Sequence, residues 1–144
     1  ATGGAEAQTS ILMRVMLDTN ICIYLIKNQP PSILERFHTF PVGDIGISIV
    51  TLAELDYGVA KSRHHARNRT ALEQFVAPLE VADFDREAAR VYGRIRASLE
   101  EKGTLVGGMD LLIAAHAISL GARLVTNNLR EFRRVPGLRV ENWV

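Results

Sequence analysis

The stretch Val15-Met16-Leu17-Asp18-Thr19-Asn20, running on into Ile21-Cys22-Ile23-Tyr24-Leu25-Ile26, decides the fold. An apolar run that ends in Asp-Thr-Asn and resumes as a second apolar run reads as a buried strand, a tight turn and a helix. In an open parallel α/β sheet, ligands bind just beyond the carboxyl ends of the strands. Asp18 then stands at such an end. Glu54 and Asp110 stand at the same kind of junction further along the chain. Acids brought to one sheet edge repel each other unless a cation or a proton holds them together.

Outward from that stretch, the first strand covers about residues 14–18 and the first helix residues 20–28, closed by Gln29-Pro30-Pro31. This helix is apolar on nearly every side, so either both its faces are buried or one meets a partner. Ser32 is expected to cap a second helix that runs to Phe40. Residues 44–50 read as the second strand. Thr51 opens the next helix, with Leu52, Leu55 and Val59 on one face. The basic run Lys61 to Arg69 reads first as a solvated helical surface, with an RNA-facing patch as the alternative, and continues as helix through Phe75. Residues 79–82 form a short strand. Asp85 caps a long helix over 86–102, which Gly103 ends. Residues 109–118 give an apolar helix stopped at Gly121, 123–126 a strand, 127–132 a helical turn and 138–143 a last strand. Alternating strands and helices predict an α/β fold with a parallel sheet covered on both faces.

The 144 residues suit one domain, with residues 13–144 as the folded unit. Residues 1–12 are small and polar with Gly3-Gly4, and read as a disordered lead-in or an expression scar, with Met13 as the natural start. They lack the pattern of a signal peptide. A net charge of +1 is mild. Proteins that hold nucleic acid by non-specific charge are far more basic, so any RNA substrate must meet a local patch. Cys22 is the only cysteine, which rules out an intrachain disulfide and fits a reducing, cytoplasmic compartment. The longest apolar run, near residues 111–117, is too short to span a bilayer.

Each acid has an innocent explanation when taken alone. Thr51-x-x-Glu54 matches a capping box, Asp110 offsets the positive end of a helix, and Asp18 caps the first helix. Their joint placement says more, because capping does not require acids at one edge of a shared sheet. Mg²⁺ prefers oxygen ligands, and commonly takes one or two carboxylates together with substrate phosphate. Such an ion activates water and stabilises charge on a phosphodiester. His116, deep in an apolar helix, reads as a core histidine, and Cys22 as a small buried hydrophobe. No P-loop, dinucleotide fingerprint, zinc-ligand spacing or Ser-His-Asp arrangement is present in the sequence.

Four segments together resemble the PIN-domain ribonuclease toxins of the VapC type. They are Leu17-Asp18-Thr19-Asn20; Thr51-Leu52-Ala53-Glu54-Leu55 with Tyr57-Gly58; Met109-Asp110-Leu111-Leu112-Ile113-Ala114-Ala115-His116-Ala117; and Thr126-Asn127-Asn128-Leu129-Arg130-Glu131-Phe132. The resemblance implies an α/β/α sandwich around a central, mainly parallel sheet. It implies Mg²⁺-dependent cleavage of RNA, with Mn²⁺ as a substitute, a homodimer, and a cognate antitoxin as partner. Transfer RNA is the target class it points to. Asp18, Glu54 and Asp110 fall on the family's metal-site positions. Where many PIN domains carry a fourth acid, this chain has Asn128, with Glu131 one helical turn on. Thr19, Asn20 and Thr126 are placed to orient water or ligands.

Two rivals come from other classes. A phosphoacceptor signalling domain pairs two acids near its first strand and sets a Lys at a later strand end, and Asp18-Thr19-Asn20 and Thr126-Asn127-Asn128 supply neither. A non-catalytic RNA-binding module uses a basic, aromatic surface, and aromatic content here is 6%.

Overall fold

In the first strand, side chains alternate between two cores. Met16 packs on one face of the sheet, while Val15 and Leu17 pack on the other, and all three are fully buried. A strand sandwiched in this way must be apolar throughout, which is why residues 15–17 show no polar alternation. The computed structural model describes residues 13–144, so the reading of residues 1–12 as a lead-in lies outside the described residues.

The elements are β1 (Val15–Leu17), α1 (Thr19–Ile26), α2 (Pro31–His38), β2 (Ile45–Ser48), α3 (Ile49–Lys61) and α4 (His65–Val76). After them come β3 (Glu80–Ala82), α5 (Arg86–Glu101), α6 (Gly108–Leu120), β4 (Arg123–Val125), α7 (Leu129–Phe132) and β5 (Val140–Glu141). The five strands lie in the order β3-β2-β1-β4-β5. Every pairing is parallel, with Val15 beside Ile45 on one side and Arg123 on the other. The expected mainly parallel sheet is therefore wholly parallel. Helices α1 to α4 supply Ile21, Leu25, Ile33, Leu55 and Leu72 to the core on one face. Helices α5 to α7 supply Val91, Ile95, Leu111, Ala114 and Phe132 to the other. Truncating a fully buried Ile such as Ile21 or Ile95 to Ala costs about 2–5 kcal/mol. No helix among the described residues is long and apolar enough to cross a membrane.

Successive strands step outward from β1 to β2 and β3, whereas β4 and β5 lie on its other side. The order therefore reverses between β1 and β4, and the crevice beyond their carboxyl ends is where such sheets bind ligands. Close approach of β2 and β3 depends on Gly46, where an added Cβ would lie 2.6 Å from the Glu80 carbonyl oxygen.

Several expected boundaries shift for local reasons. Pro30 and Pro31 start α2, so Ser32 lies inside its first turn and caps nothing. Proline's fixed φ suits the first helical position without any side-chain cap. The second strand ends at Ser48 rather than at Val50, because the Ser48 hydroxyl accepts the Val50 N–H at 3.0 Å and opens α3 there. The basic run is broken at residues 62–64, between the end of α3 and the start of α4. The last strand shrinks to Val140–Glu141. Asp85 caps α5 as expected, accepting the Ala88 N–H at 3.0 Å. Gly103 and Gly121 end α5 and α6 at positive φ of 68° and 67°.

Candidate active site

Asp18 closes β1 and is only 3% exposed. Its Oδ1 accepts the Ile21 N–H at 2.9 Å, so it does cap α1. That bond satisfies one carboxylate oxygen and leaves the group facing the β1/β4 crevice. Burial raises its carboxyl above the ordinary value and the charge of Glu54 adds to the rise, while hydrogen bonds from Thr126, Ile21 and the Asn20 backbone work against it. Capping therefore does not take Asp18 out of the acidic surroundings it shares with Glu54.

Glu54 does not belong to a capping box. Because α3 begins at Ile49, Thr51 sits within the first turn and Glu54 in the second. The Thr51 hydroxyl is buried without a hydrogen-bond partner. Glu54 instead turns to the crevice, where the Thr19 hydroxyl donates to its Oε1 at 2.5 Å. The Ser48 cap hides inside the β-branched run Ile45 to Thr51, so the sequence pattern sets the helix start three residues late.

Asp110 reaches the same edge from another direction. It was expected beside a strand end, yet no strand separates α5 from α6, and the 103–107 loop leads straight into α6. Because α6 runs back to the start of β4, its first turn lies at the carboxyl edge of the sheet. The Asp110 carboxyl is pushed up to about 7, by burial first, then by the charge of Glu131 and a hydrogen bond with it, then by Asp18 and Glu54. Every charge named there is negative, so no basic side chain among the described residues offsets Asp110.

Glu131, on α7, is held from two sides. Its Oε1 accepts the Gly107 N–H at 2.8 Å and its Oε2 accepts the Asn128 side-chain amide at 3.0 Å. Asn128 thus stands behind Glu131, and its own N–H donates to the Thr126 hydroxyl at 2.9 Å. Asn20 is exposed and contributes only its backbone N–H to Asp18. Two residues escaped the sequence reading. Gly107 holds Glu131, and a Cβ there would lie 3.4 Å from that carboxylate. Asn127 donates to the Tyr24 hydroxyl at 2.9 Å, tying the loop after β4 to α1. The Gly107-Gly108 pair just before Asp110 was the one available signal.

The donor set suits a hard cation: carboxylate oxygens, with the Asp110 carboxyl raised to about 7 by burial and by the acids around it. Among the described residues, no three His, Cys, Asp or Glu side chains stand close enough together to hold an ion as placed. His116 is a core residue, as expected. It is fully buried, bonded through Nδ1 to the Ser48 hydroxyl at 2.7 Å, and burial depresses its basicity. Cys22 is buried, and that burial pushes its thiol well up, so it is inert.

The family model described as PIN domain matches residues 15–138. The chain is 51% identical to the tRNA(fMet)-specific endonuclease VapC of Salmonella typhimurium over 132 residues, 92% of this chain and 99% of that protein. It is 46% identical to ribonuclease VapC2 of Rickettsia felis, over 91% of this chain and 98% of that one. The DNA-bound VapBC structure from Salmonella typhimurium superposes with a TM-score of 0.87 at 51% identity, covering 92% of this chain and 99% of that chain. VapBC2 from Rickettsia felis, bound to a DNA fragment from its promoter, does so with a TM-score of 0.86 at 45% identity, over 92% of this chain and 100% of that chain. Acids gathered at the switch point of a parallel sheet, and relatives matched along almost their whole length, give one answer: the chain belongs to the PIN-domain family, in its VapC branch.

Proposed function

We propose that the chain is the toxin of a toxin–antitoxin pair, an endoribonuclease that hydrolyses phosphodiester bonds with Mg²⁺, Mn²⁺ substituting. The observation that carries this is the convergence of Asp18, Glu54, Asp110 and Glu131 without a basic partner, with the Asp110 carboxyl raised to about 7. A cation bound there would offset the carboxylates, lower the pKa of water and stabilise charge on the phosphodiester. Asp18, Glu54 and Asp110 are the residues that would hold it. Thr19 fixes Glu54 and Thr126 fixes Asp18, so both carboxylates keep their orientation as substrate arrives. Glu131 takes the fourth acidic role, able to accept a proton from the attacking water, and Asn128 and Gly107 position it. The proton that Asp110 holds near pH 7 must leave when a cation takes its place.

The Salmonella relative named for tRNA(fMet) makes transfer RNA the proposed target class. An antitoxin is the proposed partner, since relatives were solved as VapBC complexes. Its docking site is a groove of about 260 Å³ between α1, α3 and α4, lined by Ile23, Ile26, Leu55, Val59 and Leu72. Helix α1 buries Ile21, Cys22 and Leu25 but leaves Ile23, Tyr24 and Ile26 partly open, which leaves room for a partner. A homodimer and a cytoplasmic location complete the proposal. Neither the signalling rival nor the non-catalytic rival finds support among the relatives.

Incubating the pure protein with total RNA, with and without Mg²⁺ or Mn²⁺, and sequencing the ends tests the reading. Discrete metal-dependent cuts are expected. Intact RNA together with acetyl-phosphate labelling of one Asp would replace it with the phosphoacceptor reading.

A further inference from the structure

Across the 103–107 loop from Asp110 lies a pocket that the proposed chemistry leaves unused. It encloses about 280 Å³, between α5 and the loop, and Tyr92, Arg96, Glu100, Thr104, Leu105 and Leu111 are among its lining. Its lining mixes apolar and polar side chains. Arg96 Nη1 donates to the Tyr92 hydroxyl at 3.0 Å and Nε to Glu100 at 3.2 Å. The guanidinium carbon lies 5.9 Å from the centre of the Tyr92 ring. Leu105, 80% exposed, forms an apolar lip.

Pocket and acids share a wall. Val106 and Gly108 line the pocket. Gly107, between them, donates its N–H to Glu131, and a Cβ on it would lie 3.8 Å from Asp110 Oδ2. The wall is pinned at three points. Thr104 N–H reaches the Leu99 carbonyl at 2.9 Å, Arg134 Nη1 reaches the Leu105 carbonyl at 2.9 Å, and Gly107 N–H reaches Glu131 at 2.8 Å. An occupant pressing on this loop acts on the carboxylate that stands beside Asp110.

We propose that the pocket receives one nucleobase of the RNA, adjoining the phosphodiester that the acids cut; the proposal rests on the endoribonuclease reading above. Pockets for drug-sized ligands run from about 300 to 1,000 Å³, so this one suits a smaller group such as a single base. Proteins that read single-stranded RNA stack splayed bases on aromatic rings and Arg planes and hydrogen-bond their edges. Tyr92 and Arg96 supply the planes. The Glu100 carboxylate accepts from an exocyclic amino group, and the Thr104 hydroxyl bonds a ring nitrogen or carbonyl. A phosphate is the wrong occupant, because Glu100 already engages Arg96 and would repel it. Because the wall holds Glu131, a seated base also helps to fix the acid cluster, so the pocket sets specificity in turnover as well as in binding.

The test uses a short RNA spanning a mapped cut, with an abasic nucleotide placed in turn at each position flanking it. Wild type, Tyr92→Leu and Arg96→Ala are compared on every RNA by kcat/KM. One abasic position should cost wild type about tenfold, within the range for losing one base–aromatic stack. Each variant should lose a similar factor on the intact RNA, and the abasic change at that position should cost it nothing more. Losses that multiply, or indifference of wild type to every abasic position, would overturn the pocket assignment alone. Failure of wild type to cut intact RNA with either metal would instead remove the endoribonuclease reading, and the pocket assignment with it. Arg96 is exposed, so its truncation keeps the test intact should Tyr92→Leu fail to fold.

Discussion

Two carboxylates at the same edge of the sheet meet opposite surroundings. Glu141, on the edge strand β5, is one strand over from Val125, which itself pairs with Leu17 just before Asp18. Burial works to raise its carboxyl, but the Trp143 indole N–H at 2.6 Å, Arg36 at 3.0 Å and the charge of Arg123 outweigh it, and the group stays below its ordinary value. Asp110 has burial without such partners, and its neighbours are all acids. A carboxylate that the fold has already satisfied is structural. One left among its own kind needs something from outside, and a cation is the partner proposed for this crevice. Acid count alone would not separate the two corners; the sign of the surrounding charge does.

If that contrast holds, substitutions in the two corners should separate cleanly. The largest effect is expected for Glu131→Gln, which keeps the shape but removes the proton acceptor. RNA cleavage should fall about 10²–10⁴-fold, the range for a positioned acid or base. Asn128→Ala removes only the amide that steadies Glu131, so it should cost about 10–100-fold in cleavage, as loss of an outer partner does, and leave most metal affinity. Equal losses from the two would return the fourth role to Asn128 itself. Glu141→Gln should leave metal-dependent cleavage unchanged but lower stability by about 1–3 kcal/mol in urea unfolding, because a hydrogen-bonded charge is lost among its donors. A cleavage defect there without destabilisation would blur the contrast.

The smallest effect is a pH dependence of melting. A carboxyl raised in the folded state stabilises it below the ordinary carboxylate range, and that stability is lost as pH rises through the folded value, here about 7 for Asp110. Asp18 shifts in the same direction. The buried His116, whose basicity is depressed, works the other way within this window, so the comparison is with Asp110→Asn: from pH 5.5 to 8, metal-free wild type should lose melting temperature relative to that variant. The Glu141 contribution has the opposite sign, since its carboxyl is held low, and fades only as pH falls below the ordinary carboxylate range, outside this window. With Mn²⁺ present the trend should reverse, because the ion competes with the proton on Asp110. Metal-free wild type and Asp110→Asn that change in parallel from pH 5.5 to 8 would argue against a clustered site.

The sequence disclosed Asp18 readily, since an apolar run that breaks at Asp-Thr-Asn leaves few places for that carboxylate except a strand end. It was less clear about Glu54, whose capping-box spacing from Thr51 is real in sequence but void in structure, because Ser48 opens the helix three residues earlier. Asp110 was legible as a helix-start acid but not as an arrival from the opposite direction, because that depends on how α5 and α6 pack. Glu131 stood out only through resemblance. Its anchors come from Gly107 and Asn128, and the first of these lies 24 residues away. Local pattern carries strands, caps and breaks such as Asp85, Gly103 and Gly121. Contacts set by packing, such as Ser48 with His116 at a separation of 68 residues, have no local signature.

The proposed metal site depends on Asp110, and the thermal response of that residue's variant to metal tests it directly. With Asp18, Glu54 and Glu131 nearby, Asp110→Asn relieves repulsion, so the variant should melt at the same or a higher temperature than wild type in EDTA. Wild type should gain stability with Mn²⁺ as about RT ln(1 + [L]/Kd). The variant should lose that gain, and RNA cleavage with it, while keeping the fold. A variant that melts lower in EDTA by about 0.3–1 kcal/mol of lost helix-end charge, is still stabilised by Mn²⁺ and still cuts RNA would contradict the account and leave Asp110 as a helix-start residue alone.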